Sequence, residues 1–160
     1  MELLSKRSQW FAFAVAALGG GVCIYILASV QALSSLKLVI PPFGASCVLV
    51  FLLPDSPLAQ PRNVIGGHMV SALMGLIALK LFGAGALGES IGVAAAILAM
   101  AITRTVHPPA GANPLLVFAA AAGWAFLLTP VAIGAAAIVA MGTVYHRVVQ
   151  KKAWPVSLWR

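Results

Sequence analysis

The stretch KLVIPPFGASCVLVF at residues 37–51 returns 67 positions later as RTVHPPAGANPLLVF at residues 104–118. Pro41 and Pro42 align with Pro108 and Pro109, Gly44 and Ala45 with Gly111 and Ala112, Ser46 with Asn113, and Lys37 with Arg104. At the same offset Met74-Gly75 meets Met141-Gly142. Apolar low-complexity sequence produces chance matches, but a shared PPxGA[SN] core beside a shared cation is hard to reach that way. The chain reads as one unit used twice, the first copy about 10–82 and the second about 87–148. Both lie in a single membrane domain, 1–160, that ends in a basic tail, 149–160.

The medium around the repeat is lipid. Of 160 residues, 62% are hydrophobic and 8% charged, whereas soluble domains carry roughly a quarter charged residues. Mean hydropathy is +1.04. Four apolar stretches, 10–33, 64–82, 87–103 and 130–148, come near the roughly 20 residues that cross a bilayer as a helix. Lys6 and Arg7 resemble the start of a signal peptide, but the apolar run behind them is too long for one and predicts a retained helix.

The net charge is +7, yet the basic residues form no patch interleaved with aromatics, which argues against nucleic acid. They collect at the ends of the apolar stretches. Lys6, Arg7, Lys80, Arg147, Lys151, Lys152 and Arg160 fall on one side, and Lys37, Arg62 and Arg104 on the other. This asymmetry predicts cytoplasmic termini and an outward 54–62 loop. Trp154 and Trp159 suit interfacial anchors. Cys23 and Cys47 sit in apolar runs without metal-ligand spacing and read as small buried residues.

Prolines inside lipid free backbone groups that protein or water must satisfy. Paired Gly/Pro interruptions in two halves of a membrane protein point to a binding site. Ser46 and Asn113 are good N-caps, and Pro114 is a favoured first helical residue. Short helices are expected over 47–53 and 114–122, about 10–14 Å long and under half the hydrocarbon thickness. The predicted fold is therefore all-α: four transmembrane helices plus two re-entrant half-helices, from two parallel repeats. Extended PPxGA leaders carry the chain in, and the half-helices carry it back.

Two helix N-termini then face the membrane interior and together favour a small monovalent anion. Gly44 and Gly111 let backbone approach the ligand, with Ala45, Ser46, Ala112 and Asn113 along the same path. Lys37 and Arg104 each add a cation near the mouth; as plain anchors they would only snorkel outward. His107 replaces Ile40 of the first copy. It reads as a donor to the anion or a proton relay, against the alternative of a ring that only satisfies carbonyls freed by Pro108 and Pro109. His68 is open between the same readings, and His146 reads as interfacial. Phe43 packs in the core or gates the path. Gly19, Gly20, Gly21, Gly75 and Gly142 allow close helix packing.

Three carboxylates, none spaced as a pair, make acid–base catalysis hard to assemble. No HExxH, phosphate loop or cysteine–histidine cluster is present, so no cofactor or metal is implied. A membrane enzyme and a non-transporting assembly subunit are the alternative classes, the second having little use for duplicated broken helices.

With HPPAGANP at 107–114 and four apolar stretches, the chain resembles the HPP family of integral membrane proteins over essentially its whole length. The resemblance implies a four-span protein of bacterial or plastid membranes, here the bacterial inner membrane, with nitrite transport as the family's activity. The partners expected are a nitrite-like inorganic anion, the lipid bilayer and, given the Ala/Gly-rich composition, further copies of the chain.

Overall fold

A computed structural model describes the backbone of residues 2–156 and the side chains from 9 onward. The expectations for the side chains of Lys6 and Arg7, and for Trp159 and Arg160, lie outside the described residues. Every regular element among the described residues is helical. Helix α1 covers Glu2–Leu33, α2 Pro41–Cys47 with a π-turn Val48–Leu52, α3 Pro61–Phe82 and α4 Ala86–Ile102. A 3-10 turn Pro108–Ala112 runs into α5, Asn113–Ala119. Further turns Trp124–Leu127 and Leu128–Ala132 precede α6, Ile133–Val144, which a π-turn Tyr145–Val149 extends.

Among the described residues, three helical stretches are long and apolar enough to cross a bilayer: Gln9–Leu33, Pro61–Phe82 and Trp124–Val149. The expected third span is present as α4, but its 17 residues reach only about 26 Å, short of the hydrocarbon thickness. Helix α1 lies at the periphery: only 22% of its apolar window is buried, against 44% for α3. Trp10, Phe11, Leu18 and Tyr25 of α1 are exposed, the surface a lipid solvent favours.

The short helices start earlier than the sequence suggested. Ile40 and His107 are the extended residues before them, and both proline pairs occupy the first helical positions. A residue before proline is driven out of the helical region, whereas proline itself suits the first turn. Ser46 and Asn113 are therefore not caps; no side chain caps either helix. The helical stretches are 41–52 and 108–119, the same 67-position offset as the sequence match. At twelve residues each runs about 18 Å as an α-helix, longer than the expected half-helix.

That extra length changes the topology. Cys47 abuts Gly20 and Phe51 abuts Gly19, so the first short helix descends α1 rather than returning beside its leader. The loop after it meets the C-terminal segment, where Trp154 Nε1 donates to Pro54 O (3.2 Å) and Val156 N to Gln60 Oε1 (3.0 Å). Helix α3 then climbs away. Lys80 near its end lies over the Trp124 ring, and Arg62 at its start reaches Thr103 O at the end of α4. Thus α3 and α6 run in opposite directions, and the copies they belong to are inverted relative to each other, not parallel as expected.

The 54–62 loop consequently shares a face with both ends of the described chain, not the opposite face. Arg62 and Arg104 move to that face with it, and Lys80 joins Lys37 on the far face. Among the described cations, Arg62, Arg104, Arg147, Lys151 and Lys152 now stand against Lys37 and Lys80, an asymmetry of the same sense as before.

Packing between the copies falls into matched pairs. A Cβ on Gly67 would stand 2.7 Å from Thr105 O, and one on Gly134 would stand 3.0 Å from Leu38 O, positions again 67 apart. Gly75 likewise packs on Val117, and Gly142 on Val50. Each long helix thus closes on the leader and short helix of the other copy, at glycines that leave no room for a side chain. Gly19 and Gly20 fit the packing role expected of them, while Gly21 faces open space. Trp154 and His146, expected at the interface, are instead 1% exposed. Proximity to the loop explains both: the indole holds Pro54 O, and His146 Nε2 donates to Val50 O at 2.7 Å.

Candidate functional site

Ser46 lies one turn and a half into the first short helix, beside the middle of α1. His107 is the last extended residue before the second. Because the two short helices run antiparallel, these positions meet: Ser46 Oγ is 2.9 Å from His107 Nε2. His68 from α3 joins them, its Nε2 2.8 Å from the same oxygen. Asn113 closes the group, its Nδ2 3.0 Å from His68 Nδ1 and donating to His68 O at 2.9 Å. Ser46, His68, His107 and Asn113 each have 0% exposure.

Neighbouring contacts hold the cluster in place. Leu58 O, from the 53–60 loop, is 2.8 Å from His107 Nδ1. The Phe43 ring stands edge-on to His68, with centroids 5.1 Å apart, which places Phe43 in the core. Asn63 Nδ2 donates to Val106 O (2.8 Å) and Ser71 Oγ to Ala110 O (2.6 Å), satisfying carbonyls around the second proline pair. His107 therefore need not serve those carbonyls, the task its bland reading gave it. Asn63 and Ser71 were missed in the sequence, where a polar residue on an otherwise apolar helix face was the available signal.

The structure brings together only part of the expected site. Ser46, Asn113, His107 and the uncertain His68 converge. Gly44, Ala45 and Ala112 are exposed, on the outer side of the short helices, and Gly111 is half-buried. A Cβ on Gly44 or Gly111 would meet nothing within 4 Å. Nor do the helix ends offer amide hydrogens as expected. Pro41, Pro42, Pro108 and Pro109 carry none, and the next donors turn back, Phe43 N to Ile40 O and Ala110 N to His107 O, each at 2.9 Å. The prolines that begin these helices also remove the donors an anion would use.

Lys37 and Arg104 are both exposed, on opposite faces. Lys37 lines a cavity of about 630 Å³ that reaches inward past Gln31 to Ile40, at the start of the first short helix, and to Leu116 and Thr129. Gln31 Oε1 accepts from Leu38 N and Val39 N, at 2.8 and 3.0 Å, and pins the leader that forms one wall. Asp55 is exposed, and Glu89 lies in the first turn of α4. Cys23 and Cys47 are free and buried, as expected.

An all-helical chain with an apolar exterior and a buried polar cluster at its centre defines an integral membrane protein. It belongs to the HPP transmembrane family, whose model matches residues 5–155. Two transmembrane proteins of Dictyostelium discoideum are similar to it. One is 37% identical over 73% of this chain and 40% of its own length; the other is 33% identical over 79% of this chain and 47% of its own. The chain thus spans less than half the length of these relatives. No solved structure matches it.

Proposed function

We propose that the chain carries a small monovalent anion, nitrite in the first instance, across a bacterial inner membrane together with a proton. The observation that carries this reading is the buried cluster of Ser46, His68, His107 and Asn113 between the two short helices. Ionisable groups at membrane depth mark ion paths and proton relays. Transporters built from inverted repeats place their sites where broken helices of the two halves meet. Here α1 to α3 form one half and α4 to α6 the other, with four longer helices and two short ones that begin in the membrane interior.

Anion recognition in this proposal rests on side-chain N–H groups of His68, His107 and Asn113, since the helix ends lack free amides. The cavity beside Lys37 is the approach from the far face, and Arg104 marks the mouth on the other. The terminal face, richer in cations, is cytoplasmic on this reading. Lipid surrounds the apolar exterior, and a second copy of the chain is a compatible partner. A transporter is preferred to an enzyme because the cluster holds no carboxylate or thiol, and to a passive subunit because its rings occupy positions that apolar residues fill in the other half.

Reconstituted proteoliposomes with an internal pH-sensitive dye test the proposal. Nitrite added outside at acidic pH should enter with protons and acidify the lumen faster than in protein-free vesicles. Because nitrous acid permeates lipid unaided, the protein-dependent increment is the quantity measured. The absence of any increment, for nitrite and for formate, nitrate and chloride alike, overturns the reading.

A further inference from the structure

The cluster admits one consistent placement of hydrogens for neutral rings. Leu58 O can only accept, so His107 Nδ1 facing it at 2.8 Å carries a hydrogen. His107 Nε2 is then an acceptor, and the Ser46 hydroxyl donates to it across 2.9 Å. The Ser46 oxygen in turn accepts from His68 Nε2–H at 2.8 Å. That leaves His68 Nδ1 to accept from the Asn113 amide at 3.0 Å, whose other hydrogen goes to His68 O. The two rings are held in opposite tautomers, and every bond points the same way, from Asn113 to Leu58.

The Ser46 hydroxyl has a second acceptor within reach. Pro42 O lies 3.1 Å from Ser46 Oγ, and it too can only accept. The hydroxyl turns to it when the cluster gains a proton. A hydrogen placed on His107 Nε2 makes both nitrogens of that ring donors. The Ser46 oxygen then accepts from both rings, and its own hydrogen turns to Pro42 O. No polar atom loses a partner in the exchange, which matters because an unmade buried bond costs about 1–3 kcal/mol. A second proton has no such place. It would have to sit on His68 Nδ1, which has the Asn113 Nδ2 donor at 3.0 Å and its nearest acceptor, Asn113 Oδ1, only at 3.4 Å, and would put two cations in rings 5.0 Å apart away from water.

We infer that His68, Ser46 and His107 form a binding site for a single proton, in which the Ser46 hydroxyl turns between His107 Nε2 and Pro42 O. The inference rests on the proton-coupled reading above but needs no particular anion. The charged groups on the elements around the rings are Asp55 on the 53–60 loop, Arg62 and Lys80 on α3, Glu89 on α4, and Arg104. Asp55 and Arg104 are exposed, Arg62 donates to Thr103 O, and none of the five bonds to either ring. Helices α2, α5 and α6 bring no charge.

Nitrogen-15 NMR of the full chain in lipid, with labelled histidine, reads this directly. At neutral pH one ring, assigned by loss in His107→Gln, should be the Nδ1–H tautomer, and the ring lost in His68→Gln the Nε2–H tautomer. On acidification the His107 signals should become those of a cation while the His68 signals keep their tautomer. Ser46→Ala should separate the two rings, so that His68 no longer responds when His107 is protonated, and Ser46→Thr should restore the response. Equal tautomers in the two rings, or both rings becoming charged in one step, overturn the inference. These readouts stand whether or not nitrite flux is found, so the two readings fail separately.

Discussion

Geometry and chemistry divide differently between the two halves of this molecule. In geometry they match: short helices at 41–52 and 108–119, and glycines at 67, 75, 134 and 142 closing on the opposite half. In chemistry they do not. Where α3 of the first half crosses the leader of the second stand His68, Ser71 and His107; at the equivalent crossing of α6 with the first leader stand Ala135, Ile138 and Ile40, and all six are buried. The apolar crossing shows that the fold packs well with hydrocarbon at these positions. Replacing a buried polar network by well-packed apolar groups is often neutral or stabilising, so the polar crossing is kept for something other than packing. The frame is used twice, and only one of its two equivalent crossings is polar.

The sharpest way to break the comparison is topological. In a chain lacking Cys23 and Cys47, Asp55→Cys and Lys151→Cys should be labelled from one side of the membrane and Ser35→Cys from the other only. Labelling of Asp55→Cys from the Ser35 side would return the halves to a parallel arrangement.

Copying one half onto the other comes next. His107→Ile removes the partners of Ser46 and Leu58 O. A hydrogen bond to a charged group is worth about 1.5–3 kcal/mol, so proton-coupled uptake should fall roughly tenfold or more while the protein still elutes as a folded species. Ile40→Val, at the equivalent position, should leave uptake near that of the parent. Equal losses in both would deny any chemical difference between the halves.

The glycine pairs test how equal the geometry is. In Gly67→Ala the new methyl meets His107 Cβ and Thr105 O, both at 2.7 Å, and in Gly134→Ala it meets the fully buried Phe43 ring more closely still, with Leu38 O at 3.0 Å. Overpacking costs about 1–3 kcal/mol, and Gly67→Ala and Gly134→Ala should both lie toward the upper end in detergent melting curves, as equal geometry requires. Lys37→Gln and Arg104→Gln should each lower the initial uptake rate about twofold, the scale of an exposed charge, with a smaller effect in high salt. The smallest effect belongs to Gly44→Ala and Gly111→Ala. Their methyls enter open space, so uptake should be unchanged and stability level or raised by up to about 1 kcal/mol. A loss of uptake in both would put the outer faces of the short helices back on the transport path.

Much of this was readable in the residues. The offset of 67 located both short helices and, through Ser46 and Asn113, two members of the cluster. His107 stood out because its counterpart is Ile40. The helix starts were misjudged because Ser and Asn are good caps in general, yet a Pro-Pro pair outranks them: it forces the preceding residue extended and suits the first turn itself. From that one shift came the parallel-repeat error, since a twelve-residue helix carries the chain onward where a seven-residue one would turn back. His68 could not be joined to His107 by spacing, as their meeting depends on α3 running beside the second leader. The same holds for His146 and Trp154, whose burial follows from a loop reached only in three dimensions.

That loop has a mechanical side. It is buckled at both ends to the last described residues, by Trp154 on Pro54 and by Val156 on Gln60, and between them it presents Leu58 O to His107. Gln60 tightens the buckle through its own amide, which donates to Pro54 O at 2.8 Å and Ser56 O at 3.0 Å. A pull on the C-terminal segment is therefore delivered to a ring in the centre of the molecule through a few stiff links. The C-terminal strap and the buried imidazole are joined by one run of hydrogen bonds.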